Sequence, residues 1–85
     1  MSRNGEFTMS IEFNKKLGAA LRAKRKEKGY SQEYVASLFN FSKNHVSHWE
    51  IGKRSMYAEE LEKYCEILGC SMQDVFDEMS RNRKS

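Results

Sequence analysis

The sequence contains no proline in its 85 residues. Nothing therefore forces a helix to break at an interior position, and helical periodicity runs through almost the whole chain. Cysteine is scarce. Cys65 and Cys70 are the only two, too few for the disulfide framework of a small secreted domain. Both fall at positions that read as buried, where a free thiol packs as a small hydrophobe. A reduced, cytoplasmic setting fits that usage. No stretch has the build of a signal peptide, and no apolar run is long enough to span a bilayer. Gly-rich phosphate loops are missing, as is any nucleophile–base pairing, which argues against an enzyme. His45 and His48 stand three apart, a spacing that can grip a metal, but no third ligand is at hand. No metal, cofactor or small-molecule ligand is expected.

What is present is enough for one small all-α domain with a modest core. Residues 1–9 read as a disordered leader or a remnant of cloning, with Met9 as the candidate natural start. Residues 10–80 read as the folded domain, and residues 81–85 as a polar, frayed tail. Ser10 is placed to cap a first helix from Ile11 to about Lys28, with Phe13, Leu17, Ala20 and Leu21 as its buried stripe. Gly29 supplies the stop. A second helix covers about Gln32 to Phe39. Tyr34 and Leu38 lie outside its core stripe, either covering helix one or forming a contact patch. A third runs from Lys43 to about Glu50, and the loop after it turns at Gly52. A fourth spans about Ala58 to Leu68, with Leu61, Tyr64, Cys65 and Leu68 inward, and ends at Gly69. Ser71 and Asp74 form a capping-box variant for a fifth helix, which carries Val75, Phe76 and Met79.

The formal net charge of +3 is modest, so its distribution matters more than its sum. Lys15, Lys16, Arg22, Lys24, Arg25, Lys26 and Lys28 gather near the first helix. Glu59, Glu60, Glu62, Glu66, Asp74, Asp77 and Glu78 make the later part acidic. That polarity suits one face for phosphates and another turned away. A solvated, salt-bridged surface is the alternative for the basic run.

The chain is organised around Ser31 to Trp49, SQEYVASLFNFSKNHVSHW, which reads as two short helices with a tight joint. Ser31 caps the first, whose inner face is Val35, Ala36 and Phe39. Asn40 ends it, being able to take the left-handed conformation of a sharp turn. Phe41 fills the joint and Ser42 caps the next helix. Val46 and Trp49 face inward on that helix. Lys43, Asn44, Ser47 and His48 face out, a mixed donor and acceptor set suited to base edges in a DNA major groove.

The pattern LRAKRKEKGYSQEYVASLFNFSKNHVSHWEIGKRS resembles the phage-repressor helix-turn-helix, the Cro/CI or XRE-type transcriptional regulators. The matching residues are Leu21-Arg22, Arg25, Gly29, Ser31-Gln32, Ala36, Ser42, Val46, Glu50 and Gly52-Lys53, and the likeness extends over about Ile11 to Phe76. It implies a compact bundle of about five helices with a lambda-repressor-like DNA-binding domain. It implies a homodimer on a palindromic operator of double-stranded DNA, with the helix at about 43–50 reading bases through Lys43, Asn44, Ser47 and His48. Arg22, Gln32, Ser42, Lys53 and Arg54 are implied as phosphate contacts, Gln32 also bracing the recognition helix. Arg25 and Glu50 match the family's partly buried salt bridge.

Val75, Phe76 and Met79 are the expected dimer interface, since a core this small absorbs only part of their apolar surface. The chain departs from the family at Ile51, where a polar residue is usual, and at Met56, where proline is usual. Cro-like repressors and restriction–modification controller proteins both fit this length. The rival readings are an antitoxin or other protein-interaction module, or the DNA-binding fragment of a larger regulator.

Overall fold

A computed structural model describes residues 2–82, and the side chains of residues 11–81. Five helices follow one another: α1 (Ser2–Lys28), α2 (Gln32–Phe39), α3 (Lys43–Glu50), α4 (Ala58–Leu68) and α5 (Met72–Asn82). No strand occurs among the described residues. Among the described residues, no helix is long and apolar enough to cross a membrane. The expected frayed tail falls mostly on residues 83–85, which lie outside the described residues, as does Met1.

Local chemistry sets most of the boundaries. Ser31 Oγ accepts the Tyr34 N–H at 3.0 Å, and Ser42 Oγ accepts the His45 N–H at 3.3 Å. Each supplies a partner to an otherwise unpaired first-turn donor. Asn40 closes α2 at φ 62°, the left-handed conformation, with Phe41 N–H returning to the Ala36 carbonyl at 3.0 Å. Ser71 and Asp74 form a reciprocal pair: each backbone N–H donates to the other's side chain at 3.0 Å. Before α4, only half of such a box is made, with Glu60 accepting the Tyr57 N–H at 2.8 Å.

The first helix departs from expectation at its start. It begins at Ser2, so Ser10 lies inside it rather than capping it, and residues 2–9 continue the helix instead of forming a loose leader. A 27-residue helix is about 40 Å long at 1.5 Å per residue, and the longest dimension of the chain is 41 Å.

α1 packs against α3, α4 and α5, while α2 packs on α3 and α4 on α5. The core comprises Leu17, Ala20 and Leu21 from α1, Val35, Ala36 and Phe39 from α2, Val46 and Trp49 from α3, Leu61, Tyr64, Cys65 and Leu68 from α4, and Val75 from α5. Three side chains depart from the expected burial. Phe13 shares the apolar spacing of α1 but remains 46% exposed, at the edge of an open recess that it lines with Phe76 and Met79 of α5. Cys70 is only half buried. Val75 is fully buried in its own chain, so it has no surface left for a dimer interface.

One close approach places α3 on α1. A Cβ on Gly18 would stand 2.2 Å from the Trp49 carbonyl oxygen and 2.5 Å from that of Glu50. Only a bare Cα lets the two backbones meet there. The obstacle is main chain rather than a yielding side chain, so even a methyl group must displace a helix.

Candidate nucleic-acid interface

Helix α3 has two unlike sides. Val46, Trp49 and Glu50 are buried, whereas Lys43 and Asn44 are exposed and Ser47 and His48 partly so. Lys43 and Asn44 stand in the first turn, just after the Ser42 cap, and Ser47 and His48 one turn on.

The inner side is anchored by aromatic packing and by a buried polar network. Trp49 is 2% exposed. Its ring centroid lies 5.0 Å from Phe39, 4.8 Å from His45, 5.8 Å from Phe41 and 6.1 Å from Tyr64. Phe41 fills the joint only in part. It stacks flat on His45 at 3.9 Å and runs parallel to Phe39 at 5.7 Å, but its outer face stays open. Tyr34 and Leu38 are exposed on α2, with Tyr34 packed against Tyr30 at 4.9 Å.

Glu50 is the hub of the polar network. Its Oε2 accepts from Arg25 Nε at 2.7 Å and from the Tyr64 hydroxyl at 2.7 Å. Its Oε1 accepts from Arg25 Nη2 at 3.0 Å and from Gln32 Nε2 at 2.9 Å. Arg25 also donates through Nη1 to the Tyr30 carbonyl at 2.6 Å. Four of the five helices thus meet at one carboxylate. Burial pushes the Glu50 carboxyl up, but the hydrogen bonds from Arg25, Gln32 and Tyr64 outweigh it and hold the group below its ordinary value. A bidentate guanidinium is the strongest of these donors. The same burial and the adjacent carboxylate push the Tyr64 hydroxyl well above the usual tyrosine range, so it stays a donor.

The loop after α3 folds back on the helix end. Lys53 N–H and Arg54 N–H both reach the His48 carbonyl, at 2.9 and 3.2 Å. Their side chains are exposed. Asn14 Nδ2 on α1 donates to Ser55 Oγ at 2.9 Å, and the Lys15 backbone packs against Gly52, whose φ is 80°. Ile51, at 58% exposure, adds apolar surface where a polar residue is usual.

Other site residues fall as follows. Arg22 is exposed on α1. Lys43 approaches Glu33 at 4.0 Å, a solvated contact of little energetic weight. Among the described residues, no three His, Cys, Asp or Glu side chains come together as a metal site would require. Reading the sequence missed Tyr64 as a polar partner of Glu50, the Asn14–Ser55 link and the role of Gly18. The last had a signal, since a glycine inside an apolar-periodic helix often marks close packing.

Residues 21–75 match the family model for the helix-turn-helix. No curated protein matches the sequence. Among solved structures, the chain is similar to the clp gene regulator ClgR from Corynebacterium glutamicum. One structure of that protein superposes with a TM-score of 0.77 at 33% identity, over 81% of this chain and 73% of the other. A second gives 0.75 at 34% identity, over 79% and 86%. The family match takes in the capped α2–α3 joint, the exposed α3 face and the network that holds it, and the chain belongs to the XRE-type helix-turn-helix family of DNA-binding transcriptional regulators.

Proposed function

We propose that the chain binds a palindromic operator as a homodimer, laying one copy of α3 in the major groove of each half-site. The observation that carries this reading is the two-sidedness of α3. Its inner side is fixed by Trp49 and Glu50, and its outer side leaves Lys43, Asn44, Ser47 and His48 open to solvent. Asn44 is suited to pair in bidentate fashion with adenine, and Lys43 to donate to guanine. Gln32, Ser42, Lys53, Arg54 and Arg22 surround that face as phosphate contacts, setting register without reading sequence. Gln32 donates one of its two amide hydrogens to Glu50, which leaves the other, together with the N–H groups of the α2 start, for a phosphate.

For the dimer, the interface consists of Phe76 and Met79 with Phe13 in place of the buried Val75. Phe13 and Phe76, both substantially exposed, line a recess with Met79, Lys16 and Ser80. An apolar centre with a polar rim is the composition of an interface. A two-fold contact there sets two recognition helices on one side of a duplex, at about the 34 Å between successive major grooves.

The test is selection of binding sites from random duplex DNA, followed by affinity measurements at several salt concentrations. A palindromic consensus should emerge, and affinity should fall steeply with salt as counterions are displaced. Asn44→Ala should relax preference at one position per half-site, at roughly 1–3 kcal/mol. Arg22→Ala or Lys53→Ala should weaken every sequence alike. Unchanged preference in Asn44→Ala would put the reading surface elsewhere. Sedimentation of the wild type and of Met79→Asp addresses the dimer, and a wild type that stays monomeric on its selected DNA rules it out.

A further inference from the structure

The turn between α4 and α5 brings together the chain's two cysteines. Gly69 follows α4 at φ 71°. Its N–H bonds to the Glu66 carbonyl at 3.1 Å, and the next N–H, that of Cys70, reaches the Cys65 carbonyl at 3.1 Å. This pair of bonds defines a Schellman turn, in which the side chains of the first and last residues meet. Two aliphatic groups usually occupy those places. Here they are two free thiols, at the two positions that this turn brings together. Their exposure differs. Cys65 is 3% exposed. Cys70 opens onto a recess of about 340 Å³ that it shares with Lys24, Glu27 and Lys28.

We propose that Cys70 and Cys65 form a peroxide-reactive dithiol, with Cys70 meeting a small hydroperoxide in the recess and Cys65 converting the product to an intramolecular disulfide. In the first step the Cys70 thiolate attacks the distal peroxide oxygen. A sulfur–oxygen bond forms and the oxygen–oxygen bond breaks. The leaving oxygen takes a proton, which the Lys24 and Lys28 ammonium groups lining the recess are able to donate, and departs as alcohol or water. Cys70 is left as a sulfenic acid.

In the second step the Cys65 sulfur attacks the Cys70 sulfur. The sulfur–sulfur bond forms, the sulfur–oxygen bond breaks, and hydroxide leaves with the Cys65 proton as water. Two electrons pass from the thiol pair to the peroxide. The order follows from access. It is supported by the Cys65 thiol's being pushed up to about 12, by burial first and by the neighbouring Cys70 and Asp74 next, which makes it a poor first nucleophile. A disulfide needs Cα atoms about 4.4–6.8 Å apart, and a direct main-chain hydrogen bond between the two residues holds them on that scale.

The test uses the full chain and dilute hydrogen peroxide, read by thiol titration and intact mass. Both thiols should disappear together, leaving a monomer lighter by two hydrogens that a dithiol reductant restores. Cys65→Ser should accumulate the Cys70 sulfenic acid, trapped by dimedone. Cys70→Ser should react slower by about tenfold or more, since the remaining thiol is buried. Cys65→Ala provides the same trap if the serine variant folds poorly. A wild type whose Cys70 oxidises alone, whose chains become linked to each other, or which reacts no faster than Cys70→Ser overturns the proposal. None of these readouts depends on DNA.

Discussion

Arg25→Ala is expected to destabilise the domain by about 3–5 kcal/mol, because it removes one half of a buried ion pair and strands the other. Glu50 keeps Gln32 and Tyr64 as donors, but two neutral hydrogen bonds do not replace a bidentate guanidinium. For an 85-residue domain the melting midpoint should fall by about 15–30 °C. The pH dependence has a definite sign. The folded Glu50 carboxyl lies below its ordinary value, so its contribution is fully present above the unfolded carboxylate range, near about 4.3. That contribution is lost as pH falls through the lowered folded value. Arg25→Ala raises the folded value, so its acid limb should begin at higher pH than that of the wild type. Melts from neutral to acid pH measure both effects. An unchanged midpoint together with an unchanged acid limb would show that the carboxylate does not hold the helices together.

Trp49→Ala should be of similar size, on the order of 3–5 kcal/mol, for a different reason. It empties the space between Phe39, Phe41, His45 and Tyr64, and the helices around it cannot all close in. Trp49→Phe separates volume from polarity. The indole N–H is buried without a partner, a condition that itself costs about 1–3 kcal/mol. Phenylalanine removes that donor and leaves only a small void, so it should lower the midpoint far less than alanine. Thermal melts of the two variants decide this. Equal losses would mean that loss of the indole nitrogen, and not the void, accounts for the destabilisation.

The helices after the first were legible because each has a chemical marker at its end. Ser31, Asn40, Ser42, Gly69 and the Ser71–Asp74 pair announce themselves by local side-chain chemistry, and the structure uses all of them. Ser10 carried the same signal without the same role. A serine is tolerated inside a helix as well as at its start, and no proline precedes it to break the helix. Phe13 and Val75 mark the limit of periodicity. Spacing tells which residues share a side, but not how far along a helix its neighbours extend. Phe13 thus lies open and Val75 enclosed. The Arg25–Glu50 pair was legible only through family resemblance. Tyr64, which completes the same network, stood out only as apolar, since nothing in its local sequence shows where its hydroxyl points.

The fit of Gly18 against the Trp49 and Glu50 carbonyls makes α3 a lever with its pivot at the C-terminal end. That end is clamped by bare main chain and by the Glu50 network. The opposite end, with Lys43 and Asn44, is tied mainly by the Ser42 cap and the Phe41–His45 stack. An eight-residue helix is about 12 Å long, so a tilt of a few degrees at the pivot carries the tip by about 1 Å. That distance separates a good hydrogen bond from a poor one. A larger residue at position 18 pushes on the clamped end, and the displacement is carried along the helix to the tip that holds Lys43 and Asn44.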